Sequence, residues 1–222
     1  MQKNKFLKNL DLTKILAVIT FIFVAAGAFH FKLKIFDFLP LLISTFVMLL
    51  QSKVNRYAFI VGALNSILYA VADFYMTLYS QAAFALLFSL PVQIITFICW
   101  NKNTRNGVTE TKSLTNKGRI ILFASMAVGW GILYLIFSFF KSEYLVLDNT
   151  VTVIGIVSTL LVTFRYSEYS LFQIISGTVN IILFATMLVN DPSRIVWLVF
   201  MIYSMICSTT AFIRMNKTKQ NK

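Results

Sequence analysis

Hydrophobic positions in this chain run in long blocks, with polar positions confined to the short breaks between them. Eight blocks stand out, at about 12–31, 36–52, 57–74, 79–100, 119–140, 148–165, 169–189 and 194–213. A run of about 20 apolar residues wound as an α-helix matches a hydrocarbon core about 30 Å thick. Lone strands in lipid would leave backbone N–H and C=O groups unpaired, so each block is predicted to be a helix. The predicted fold class is therefore all-α, a polytopic membrane protein with eight transmembrane helices. The blocks at 36–52 and 148–165 are short and partly polar, which predicts that they face protein more than lipid. The first block has no small-x-small cleavage site before the next span and reads as a spanning helix rather than a removed leader.

Composition agrees with the pattern. Hydrophobic residues make up 58% and charged residues 13%, and mean hydropathy is +0.77; soluble domains carry about 45–50% and about 25%. The formal charge of +12 does not point to nucleic acid, because the basic residues sit in the interspan breaks rather than in one patch. Their distribution sets orientation instead. With eight spans both termini share a side, and sixteen of the 20 basic residues fall there, among them Lys53, Arg56, Lys102, Arg105, Lys112, Arg165 and Arg214. The other side has only Lys32, Lys34, Lys141 and Arg194. This bias predicts a multi-pass protein of the cell membrane with both termini and the 101–118 loop in the cytoplasm. Seven spans would scatter the asymmetry.

Offsetting the chain against itself by 115 residues brings Gly62-Ala-Leu-Asn65-Ser-Ile-Leu-Tyr69-Ala70 onto Gly177-Thr-Val-Asn180-Ile-Ile-Leu-Phe184-Ala185. Five of these nine positions are identical, and the same shift lays Ser89 on Ser204 and Asn101-Lys102 on Asn216-Lys217. The predicted organisation is a tail and extra helix over 1–35, a three-helix repeat over 36–102, a cytoplasmic loop and linker helix over 103–147, a second repeat over 148–215 and a cytoplasmic tail over 216–222. Four spans separate matching helices, so the repeats are parallel. Such repeats are a known transporter plan, with the substrate site between them near the midplane.

The stretch from Gly62-Ala-Leu-Asn65 through Thr77-Leu-Tyr79 to Trp100, followed by Asp148 and Arg165-Tyr-Ser-Glu168, resembles the PnuC family of vitamin transporters. The resemblance covers roughly 36–102 and 147–217. It implies a three-plus-one-plus-three helical core, a homotrimer, and facilitated diffusion of nicotinamide riboside, thiamine, riboflavin or a deoxynucleoside. It also implies a cytoplasmic kinase that phosphorylates and traps the substrate. One departure bears on the cargo. Where nicotinamide riboside members share Trp-x-x-Trp-x-x-x-Asn, this chain reads Ser170-Leu-Phe-Gln173-Ile-Ile-Ser-Gly177. Two aromatic platforms and an amide are replaced, which brings nucleosides and deoxynucleosides forward as cargo.

Polar side chains inside the spans are the candidate substrate contacts, since each must find a partner in hydrocarbon. Asn65 and Asn180 sit near mid-span and offer two donors and an acceptor each, for a ribose, a base edge or a neighbouring helix. Tyr69 and Phe184 follow them one turn later on the same face, placed to stack on a ring or to pack the core. Gln93, Ser170, Gln173 and Asn149 complete the predicted set, and Asp148 is read as a gate or as the cap of its own helix. Pro91 is placed to bend the fourth span. The three tryptophans are expected near the interfaces.

No catalytic constellation, metal cluster or phosphate-binding glycine loop is present, and Cys99 and Cys207 both lie within apolar blocks, so neither an enzyme nor a cofactor is predicted. No charged residue lies near the centre of a span; Asp73 and Asp148 fall at outer ends and Arg165 at an inner one. This favours downhill transport of a small molecule over an ion-coupled carrier of thiamine or riboflavin, and over a membrane receptor or channel subunit.

Overall fold

A computed structural model describes residues 12–220 apart from 54, 103, 106, 107, 110, 111 and 141, and leaves the side chains of 104–109 and 215–220 aside. Eight helices long and apolar enough to cross a membrane follow one another: α1 (Leu12–His30), α2 (Ile35–Ser52), α3 (Tyr57–Tyr75), α4 (Tyr79–Lys102), α5 (Asn116–Ser138), α6 (Leu145–Thr163), α7 (Tyr169–Asn190) and α8 (Ile195–Gln220). The all-α, eight-span expectation holds, and most helix ends lie within three residues of the apolar blocks. α8 runs beyond its block because the basic tail continues the same helix. The 101–118 loop adds a small antiparallel hairpin, Thr104–Arg105 against Val108–Thr109.

Local chemistry accounts for the ends and bends. Thr115 caps α5 by accepting from the Gly118 N–H. α1, α3 and α6 each stop on a non-glycine residue with positive φ, namely Lys32, Thr77 and Arg165. In each case the next N–H (Leu33, Leu78, Tyr166) reaches back five residues to a helix carbonyl, and the apolar residue that carries it folds onto the helix end. In α4 the turns widen to the π type over Phe84–Ser89, just before Pro91. Proline has no N–H to give, and the ladder there shifts register so that the Leu90 N–H bonds the Ala85 carbonyl.

Six helices close a ring. α2 packs on α3, α3 on α4, α4 on α6, α6 on α7, α7 on α8, and α8 returns to α2. α1 lies outside against α2 and α8, and α5 lies outside against α6. One apolar core binds α1, α2, α7 and α8 around Leu41, Leu183, Val196 and Trp197. The other binds α3, α4, α6 and α7 around Phe59, Trp100, Ile154 and Tyr169. α6 is the most buried span at 56%, as expected for a short polar block, and α5 the least at 6%. α2 departs from the same expectation: it is only 33% buried, because Ile35, Phe36 and Phe46 turn outward.

Trp100 and Trp197 are packed inside the protein. Each is 1% exposed; Trp100 donates Nε1–H to the Val162 carbonyl at 2.9 Å, and Trp197 lies flat on Phe184.

Candidate functional site

The centre of the ring is hollow, with amides and hydroxyls set among apolar side chains. Two adjoining lobes of about 260 and 270 Å³ share Met48, Gln51, Phe84, Ser89, Gln93, Gly155, Ser176, Asn180, Met201 and Ser204 as walls. All six ring helices contribute, and neither α1 nor α5 does. One lobe extends toward the α3–α4 turn through Asn65, Tyr69, Asp73 and Gln81. The other extends toward the α6–α7 turn through Ser158, Thr159, Gln173 and Ser208.

Five predicted contacts meet here: Asn65, Tyr69, Gln93, Gln173 and Asn180. Asn65 is 2% exposed and donates Nδ2–H to the Pro40 carbonyl at 2.9 Å and to Ser44 Oγ at 2.8 Å. A carbonyl can only accept, so this contact fixes which end of the amide is which. It leaves Asn65 Oδ1 with no donor among the described residues. Asn180 bonds within its own helix instead, giving Nδ2–H to the Ser176 carbonyl at 3.0 Å, and it too keeps an unfilled Oδ1.

Gln93 donates Nε2–H to Ser89 Oγ at 2.7 Å and Ser66 Oγ at 3.1 Å. Its Oε1 occupies the space that a Cβ at Gly62 would need, so glycine there permits the close approach of α4 to α3. Gln173 reaches toward Gln51 Oε1 at 3.5 Å, the outer limit of a hydrogen bond.

Three predicted contacts lie elsewhere. Asn149 is fully buried, but its Nδ2–H goes to the Trp130 carbonyl at 2.9 Å and ties α6 to α5. Ser170 is buried in the first turn of α7 and donates to the Ser167 carbonyl at 3.0 Å. Phe184 stacks on Trp197, with centroids 5.1 Å apart, while Tyr69 meets the same indole edge-on and also lines the cavity. Asp148 is a cap, though of another helix. Its carboxylate accepts from the Ser80 and Gln81 N–H groups at 3.0 and 3.1 Å, in the first turn of α4.

The sequence reading missed Asp73, Phe84 and the serines of the wall. A signal existed for most of them: Asp73 stands eight residues after Asn65 on the same helical face, and Ser89 and Ser176 stand four residues before Gln93 and Asn180. At the α6–α7 turn, outside the spans, Glu168 holds the preceding loop. It accepts from the Leu114 N–H at 3.0 Å and pairs with Arg119 at 3.3 Å. Burial alone would raise its carboxyl, but these donors and Ser167 together hold it below the usual glutamate value. No group of histidine, cysteine and acidic side chains able to hold a metal occurs among the described residues.

A model of the family described as nicotinamide mononucleotide transporter matches residues 34–214. The chain belongs to this family. Its matched region begins after α1 and takes in the whole ring together with α5. The structure is also similar to the crystal structure of the vitamin B3 transporter PnuC, with a TM-score of 0.74 and 21% identity over 91% of each chain. That likeness establishes the fold. A search of curated proteins gives no match. As a family member with eight apolar helices, the protein is a multi-pass membrane protein of a transporter family.

Proposed function

We propose that this protein carries an unphosphorylated nucleoside-like molecule, nicotinamide riboside or a nucleoside or deoxynucleoside, through the central cavity by facilitated diffusion. The observation that carries the reading is the chemistry of the wall. Amides and hydroxyls line it, and no Lys, Arg or His is among the described lining residues. A phosphomonoester brings a charge of about −1.5 to −2 and is normally met by arginine, lysine or a helix N-terminus. Here it would face Asp73 instead, so the family's descriptive cargo, a mononucleotide, suits this cavity less well than the nucleoside. Ribose hydroxyls and base N–H groups are donors for the open Oδ1 atoms of Asn65 and Asn180. The substrate contacts are Asn65, Tyr69, Gln93, Gln173 and Asn180, with Phe84 as the aromatic surface common to both lobes.

The same reading takes the ring as two parallel three-helix repeats. Six pairs related by the 115-residue shift supply wall residues from both sides: Ser44 and Thr159, Val47 and Val162, Gly62 and Gly177, Asn65 and Asn180, Ser89 and Ser204, Gln93 and Ser208. Exchanging the units also turns the α2–α8 contact into the α6–α4 contact, and both are present. The lipid-directed face of α5 offers area for a homotrimer. With both termini cytoplasmic, a cytoplasmic kinase would trap what enters by phosphorylating it.

Asp73 in the wall favours a second reading, a carrier coupled to protons or sodium. A calorimetric screen of purified protein against nicotinamide riboside, thymidine, deoxyadenosine, uridine, thiamine, riboflavin and nicotinamide mononucleotide tests the substrate class. Binding of at least one unphosphorylated nucleoside, tighter than the mononucleotide, is expected. Exclusive binding of the mononucleotide, or of none of the panel, overturns the reading.

A further inference from the structure

Two carboxylates are buried at the α3–α4 end of the ring, and only one has protein to answer it. Asp148 is held by the Ser80 and Gln81 N–H groups at the positive end of α4. Asp73 is 5% exposed, lines the cavity, and forms no hydrogen bond or ion pair with a side chain among the described residues. It also stands in the last turn of α3, at the negative end of the helix dipole. An anion at that place is disfavoured twice, by burial and by the helix. Such a group is retained where something positive comes to it.

The surrounding oxygens point the same way. Asn65, one wall helix face with Asp73 at a spacing of eight residues, keeps an unfilled acceptor, and so does Asn180 across the cavity. Both amides are more than nine-tenths buried. Three wall residues thus present unanswered oxygen, and the described lining has no cationic side chain.

We propose that Asp73 is the counter-charge for a positive charge on the substrate, making it a specificity-determining residue for cationic over neutral cargo. This rests on the transport reading above and narrows it: among nucleoside-like molecules, the cavity selects those whose ring carries a fixed positive charge. Pyridinium-type nucleosides satisfy that requirement, whereas thymidine and uridine do not.

The test uses the full chain in proteoliposomes with a matched pair of probes, nicotinamide riboside, whose ring is cationic, and its neutral 1,4-dihydro form. Wild-type protein is expected to favour the cation by at least about tenfold in apparent affinity, the scale of a charge-assisted contact. Asp73→Asn is expected to lose that preference, its apparent affinity for the cation falling by about tenfold toward that for the neutral probe. Asp73→Glu is expected to retain part of the preference.

A wild type that does not discriminate between the probes overturns the proposal whether or not any variant folds. An unchanged preference in a folded Asp73→Asn also overturns it, and leaves the transport reading standing. If instead an imposed proton gradient drives accumulation of both probes and Asp73→Asn abolishes this, the carboxylate carries protons and the proposal is wrong. Saturable transport of neither probe by wild type, with no nucleoside bound in the screen, removes the transport reading as well.

Discussion

Asn65 and Asn149 are both buried amides that donate to a backbone carbonyl, yet only Asn65 meets the cavity. That difference makes them a paired test. Asn149→Ala is expected to lower thermal stability by about 1–3 kcal/mol, because the Trp130 carbonyl loses its extra donor in a dry setting. Its substrate affinity should stay within about twofold of wild type. Asn65→Ala is expected to show a similar loss of stability together with a drop in affinity of at least about tenfold. Equal affinities for the two variants, read by calorimetry, would remove Asn65 from the contact set. Gly62 offers a second test at this scale. A methyl there would overlap Gln93 Oε1, so Gly62→Ala should weaken binding, whereas Gly129→Ala, with no atom within 4 Å of its new Cβ, should leave binding unchanged. Which amides face inward was half legible. Asn65, Tyr69 and Asp73 share one helical face, which spacing alone reveals. The direction of Asn149 depends on where α5 docks, and no local pattern in α6 carries that.

At the scale of elements, the start of α4 is bound to α6 through Asp148 rather than capped from its own chain neighbourhood. Asp148→Ala is expected to cost about 1–2 kcal/mol, typical of a lost cap, and to appear as a lower melting temperature in detergent. Asp148→Asn should recover much of it, since an amide oxygen still accepts. The sequence led to the right chemistry and the wrong helix, because a cap supplied 67 or 68 residues away leaves no local signature.

On the opposite side, Glu168 fastens the loop around Lys112 and Leu114 to the α6–α7 turn. Its carboxyl lies below the ordinary glutamate value in the folded protein. The stabilisation it contributes is therefore fully present above that ordinary value and fades as pH falls through the lower, folded one. The protection of the Leu114 amide, its exchange slowed relative to an unstructured chain at the same pH, should fall on acidification in wild type. In Glu168→Gln it should be lower throughout and lack this pH step; a step of unchanged size would mean that another group controls the loop. Solvent screening keeps the effect small, as Arg119 is half exposed.

Across the whole molecule, span number and helix limits were legible because hydrocarbon thickness imposes a length that hydropathy records directly. The match of Gly62-Ala-Leu-Asn65 with Gly177-Thr-Val-Asn180 also pointed to helices that face each other across the cavity. The closing contacts of the ring, α2 with α8 and α4 with α6, were not legible, since apolar faces in lipid carry little pairing information. Nor was the position of Asp73: hydropathy placed it at a span end, and only the ring shows that this end opens onto the cavity.

The central claim is that this ring moves a nucleoside-like solute downhill. Its most direct test is the time course of radiolabelled nicotinamide riboside and deoxyadenosine entry into proteoliposomes, with and without imposed sodium and proton gradients. Saturable entry of at least one solute is expected, levelling off at equal concentrations inside and out whichever gradient is applied. Entry no faster than in protein-free vesicles, or accumulation above the outside concentration driven by an ion gradient, would contradict it.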